Sequence, residues 1–125
     1  MSIASDETDD DSPVYRQVLA DRDPDVLAAI QSMTEALGGT PRTLDGKTTE
    51  LLNIVILTTM RGSAARLRAH MRRAMSQGAS EQEILEALEL MIAPSGIPVF
   101  EHGLSAWAEV VNAVELKPDV APFSP

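Results

Sequence analysis

Six large apolar residues crowd into seven consecutive positions, Leu51, Leu52, Ile54, Val55, Ile56 and Leu57, and they limit the possible folds more than any other feature. The run follows Leu44-Asp45-Gly46-Lys47-Thr48-Thr49-Glu50, in which Asp45 is placed to cap a helix. A helix carrying that run has almost no polar face. It must be covered on most sides, by its own domain or by a neighbouring subunit.

The rest of the chain has the same helical grammar. Residues 13–21 make a short helix opened by Pro13, with Ser12 as cap. Asp23-Pro24 starts another, with Val26, Leu27, Ile30, Met33, Thr34 and Leu37 at helical spacing and Gly38-Gly39 as the stop. Arg61-Gly62-Ser63 breaks the apolar helix, and Ser63 caps an arginine-rich helix ending at Gly78. Ser80-Glu81-Gln82-Glu83 reads as a capping box, followed by Ile84, Leu85, Leu88, Met91 and Ile92. Pro94, Gly96 and Pro98 interrupt the pattern before a last helix from about Val99 to Glu115, with Phe100, Leu104, Trp107, Val111 and Val114 on one stripe. No strand alternation or internal repeat is evident, so the expectation is an all-α chain. The expected division is a disordered acidic tail (1–12), a helical domain (13–116) and an extended proline-containing tail (117–125).

Composition narrows the functional classes. The 125 residues contain no cysteine, which removes disulfides, thiolate nucleophiles and cysteine metal sites. The formal net charge of −9 argues against nucleic acid as a partner, because phosphate binding requires a basic surface. No apolar run reaches the roughly 20 residues of a membrane span, and the start lacks a basic region followed by an apolar one. A cytoplasmic location is expected. Small size and few aromatic residues favour assembly with copies of the same chain.

Against that acidic background, Arg61, Arg66, Arg68, Arg72 and Arg73 are half of the ten basic residues and surround His70. On the wheel, Ala64, Leu67, Met71, Ala74 and Met75 form the buried stripe of this helix, and His70 lies at its border. Arg66 and Arg73 flank His70 at i−4 and i+3. Nearby positive charge disfavours imidazolium, neutral imidazole can act as a general base, and guanidinium groups can hold a carboxylate. The alternative pairs Arg66 and Arg73 with Glu81, Glu86 or Glu89 and leaves His70 as a packing residue. Glu50 aligns with Ile54 and Leu57, so it either takes part in proton transfer or serves as a first-turn acid. His102 lies opposite the Phe100–Trp107 stripe, as a surface or subunit-interface residue. No histidine spacing of a metal motif, phosphate loop or nucleophile elbow is present.

LDGKTTELL at 44–52, the histidine-bearing helix and GASEQEI at 78–84 together resemble the carboxymuconolactone decarboxylase family, which includes AhpD-like proteins. DPDVLAAIQSMTEAL at 23–37 suits the family's preceding helix, and Ala93 to Gly103 loosely matches its last turn. The atypical PSGIPVFEHG within that turn marks a divergent member. The resemblance implies an AhpD-like bundle of about five to six helices, assembled as a homotrimer or hexamer. AhpD-like members carry CxxCxxxH, whose cysteine positions are Ser63 and Arg66 here, so peroxidase and disulfide chemistry is excluded. The cysteine-free branch implies a decarboxylase or isomerase without metal or organic cofactor, acting on a small anionic, lactone-like or β-keto-type acid. His70 matches its active-site histidine and Glu50 its glutamate position, with Arg66, Arg73 and His102 as substrate-binding candidates. His102 replaces an asparagine-like residue. The Glu50–His70 interval is one residue longer than the family pattern, which predicts a bulge or longer turn near Met60–Gly62. The alternative function is a non-catalytic oligomer that binds a small acid or acts as a scaffold.

Overall fold

The computed structural model describes residues 14–38 and 42–112, and every regular element among them is helical. In chain order these are α1 (Val14–Arg22), α2 (Pro24–Gly38), α3 (Gly46–Thr59), α4 (Ala64–Ser76), α5 (Glu81–Glu89), α6 (Ile92–Ser95) and α7 (Ile97–Val111). The expected tails, 1–12 and 117–125, lie outside the described residues.

Local capping chemistry sets three helix starts. Asp45 accepts from the Thr48 backbone N–H at 2.7 Å, and Ser63 accepts from Arg66 N–H at 3.1 Å. Ser80 and Glu83 exchange both bonds of a capping box, at 2.9 and 3.0 Å. Each such cap contributes about 1 kcal/mol by satisfying amides that the first helical turn leaves without partners. At the proline-rich break the chain differs from expectation. Residues 92–95 form the short α6, Gly96 turns with φ 90°, and α7 begins at Ile97 with Pro98 inside its first turn. α7 runs to Val111, and Asn112 after it adopts a left-handed φ of 54°; residues 113–115 of the expected helix lie outside the described residues.

The core forms where α3, α4, α5 and α7 meet. Ile54, Leu67, Met71, Ala74, Ile84, Leu88 and Ala106 are its buried centre, and burying each large side chain contributes roughly 1.5–3 kcal/mol. α7 crosses closely at Gly103, where a Cβ would stand 2.7 Å from Leu88 Cδ2 and 2.8 Å from Thr58 Cγ2. Polar ties join the same helices: Lys47 to Glu83 at 3.0 Å, Arg68 to Glu109 at 2.9 Å, and Trp107 Nε1–H to the Glu81 carbonyl at 3.0 Å.

Within the single chain, the described residues bury α3 on one side: Ile54 and Thr58 are fully buried, whereas Leu52, Ile56 and Met60 are 48%, 51% and 73% exposed. One expectation about burial needs correction. On α4, Leu67, Met71 and Ala74 are buried, but Ala64 is exposed and Met75 half-buried, because the neighbouring helices cover only the middle of the stripe. α1 packs against α2, neither contains a fully buried residue, and Val26, Met33 and Leu37 of α2 stay exposed.

Candidate active site

The turn between α3 and α4 decides whether these two helices can face one another. Met60 closes α3, Arg61 N–H donates to the Thr58 carbonyl at 3.0 Å, and Gly62 N–H donates to that of Leu57 at 2.7 Å. This pair of bonds is a Schellman motif, whose left-handed residue is usually glycine. Here Arg61 occupies that position, with φ 57°. The same pair closes α4, with Gly78 in the left-handed position at φ 102°. At Met60–Gly62, where the longer interval predicts a bulge or longer turn, the chain instead makes this compact turn through Arg61. α4 folds back along α3.

Helical periodicity then aligns two faces. Gly46, Glu50 and Asn53 recur along one face of α3, and His70, Arg73 and Gln77 along one face of α4. With Thr34, Leu37 and Gly38 of α2, and with Arg42, Leu44, Asp45 and Thr49, they line an open cleft of about 750 Å³. That volume suits a small organic ligand. Two arginines on its wall, Arg42 and Arg73, supply positive charge.

At the centre, His70 Nδ1 and Glu50 Oε1 are 2.6 Å apart, and both side chains are only 16% exposed. Arg73 Nη1 stands 3.5 Å from the same ring nitrogen. The shorter contact governs, because hydrogen bonds weaken quickly beyond about 3.2 Å. An ionised carboxylate can only accept, so the ring donates through Nδ1–H, and Nε2 is the nitrogen left for a bound molecule. Asp45, also on the wall, has its carboxyl held below the ordinary range by the Thr48 backbone N–H and then by the Thr48 side chain.

The structure brings together three of the five sequence candidates, Glu50, His70 and Arg73. Arg73 makes its contact with His70 instead of with Glu81, Glu86 or Glu89. Arg66 and His102 do not line this cleft. His102 is half-buried, and its Nε2–H donates to the Gly62 carbonyl at 2.7 Å, which ties α7 to the α3–α4 turn. Arg42, Thr49, Asn53 and Gln77 were not singled out from the sequence. Asn53 had a signal, since it lies one helical turn beyond Glu50; Arg42 had none, because its place depends on how α2 meets α3. Among the described residues, no three His, Asp or Glu side chains are grouped to hold a metal ion.

The model of the carboxymuconolactone decarboxylase family matches residues 24–109. No curated protein matches the chain. The matched range runs from the start of α2 into α7, so it includes all of the cleft-lining residues.

Proposed function

The chain belongs to the carboxymuconolactone decarboxylase family, and from that premise we propose that it is a cofactor-independent decarboxylase or isomerase of a small anionic, lactone-like or β-keto-type acid. The observation that carries this reading is the 2.6 Å contact between Glu50 and His70 in a cleft that Arg73 also lines. Glu50 holds the imidazole in one tautomer and orientation, and Nε2 acts as the acid or base.

In the decarboxylation, Arg73 attracts a carboxylate of the substrate into the cleft. The bond from the substrate carbon to its departing carboxylate breaks, and the electron pair moves into the adjacent carbonyl system as an enolate. His70, having taken a proton from water at Nε2, then donates it to that carbon, and the neutral ring with its proton on Nδ1 is left. The departing carboxylate must not be held more tightly in the ground state than in the transition state, or binding would slow the step. In an isomerisation, the same nitrogen removes a proton from one carbon and returns it to another. Peroxide and disulfide reduction through protein thiols is excluded, since the sequence has no cysteine.

We also propose that the working form is a cytoplasmic homo-oligomer, a trimer or hexamer. Exposed Leu52, Ile56 and Met60 on α3, with Val26, Met33 and Leu37 on α2, give it two apolar stripes to cover. No helix among the described residues is long and apolar enough to cross a membrane. Sedimentation of the purified protein as a monomer at micromolar concentration would contradict this assembly.

The function is tested by incubating the protein with a panel of lactone acids and β-keto acids while following CO₂ release and double-bond position. Release or isomerisation above the buffer rate is expected for at least one acid. Saturable binding without turnover would favour the alternative, a non-catalytic acid-binding oligomer or scaffold.

A further inference from the structure

We propose that Asn53 is a substrate-contacting residue, whose side-chain amide donates a hydrogen bond to an oxo oxygen of the bound acid. The ligand of the cleft is then an oxo acid and not a simple carboxylate. This inference rests on reading the cleft as an acid-binding site.

Asn53 lines the cleft one helical turn from Glu50, and it is half-buried. Its side-chain amide makes no hydrogen bond to another described residue. Nor is it an enclosed, unsatisfied group, because no such atom exists among the described residues. The amide therefore meets the solvent of the cleft. A half-buried primary amide brings two N–H donors and one acceptor, and a ligand that displaces its water must replace those bonds.

Charge selects what that ligand group is. Arg42 and Arg73 on the cleft wall are the partners for a carboxylate. Asn53, by contrast, neighbours the Glu50 carboxylate on the same helix face, and a second anionic group beside Glu50 would be repelled. A neutral carbonyl oxygen carries no such penalty and accepts an N–H directly. Gln77 is the other amide of the cleft, but it is exposed and its side chain packs over Gly46, where a Cβ would stand 2.8 Å from Gln77 Cδ. During decarboxylation the oxo oxygen gains negative charge, so a donor already aimed at it becomes more favourable as the reaction proceeds.

The test is a ratio of affinities for matched, chemically stable acids: 4-oxopentanoate against pentanoate, and 5-oxohexanoate against hexanoate, measured by calorimetric titration. The full-length protein should favour the oxo acid by about two- to tenfold in at least one pair, the worth of one neutral hydrogen bond. Asn53→Ala and Asn53→Asp should bring that ratio to about one, with melting temperatures showing that both variants fold. A purely structural role would weaken both members of a pair equally and leave the ratio unchanged, which would overturn the proposal. A wild-type ratio of one in both pairs, or no binding of any of the four acids, would also overturn it. Because the readout is binding, a ratio lost in the Asn53 variants supports this residue even if no acid releases CO₂. CO₂ release with a ratio of one would sink the Asn53 role and leave the decarboxylase reading standing.

Discussion

His70 Nδ1 lies 2.6 Å from Glu50 Oε1, across an interval of 20 residues in the chain. One helix supplies the carboxylate, the next supplies the ring, and the turn between them sets the distance. Replacing Glu50→Gln keeps the shape but lets the side-chain amide donate, which permits the tautomer with the proton on Nε2. Turnover should then fall roughly a hundredfold, at the low end of what acid–base catalysis contributes. Steady-state kinetics alongside thermal melting checks this. Unchanged turnover would leave Glu50 as a packing partner of the ring.

The turn itself predicts two stability changes of opposite sign. Arg61 sits at φ 57° where glycine costs least. Arg61→Gly should raise unfolding stability by about 0.5–1 kcal/mol, since it removes the left-handed penalty of a side chain. His102→Ala removes the 2.7 Å bond to the Gly62 carbonyl and should lower stability by about 1 kcal/mol. Urea denaturation of both variants measures the pair. A His102→Ala variant that loses substrate affinity at unchanged stability would restore His102 as a substrate-binding residue.

Acid sensitivity follows from the start of α5. The Ser80 backbone N–H, and then the Lys47 ammonium, hold the Glu83 carboxyl below its ordinary range. The unfolded chain therefore takes up this proton at a higher pH than the folded one. The stabilisation is complete above the unfolded value, about pH 4.3 for a glutamate, and is lost as pH falls through the folded value. Denaturation midpoints should decline through this range, and Glu83→Gln should flatten part of the decline. Parallel curves for wild type and variant would show that the carboxylate contributes nothing.

The helix starts at Asp45, Ser63 and Ser80 could be read from sequence because a cap is a bond between residues three apart. The family pattern and the all-α class were legible for a related reason, since both rest on local spacing. What α2 and α3 leave exposed was not legible. Leu52, Ile56, Met33 and Leu37 have the spacing of buried residues, and only the packing of the described helices shows that they stay exposed. The cleft was likewise hidden. Arg42 and Asn53 share it with His70 because three helices and a connection converge there, a relation no single helix wheel contains. For His102, the wheel gave its position relative to the Phe100 stripe, but not the carbonyl it meets on another element.

Comparison of CO₂ release by the wild-type protein and His70→Ala, on whichever panel acid is consumed, tests the central claim most directly. With His70 as the acid/base, the variant melts within a few degrees of the wild type and releases CO₂ at least about a hundredfold more slowly. Equal rates from the two proteins would contradict it.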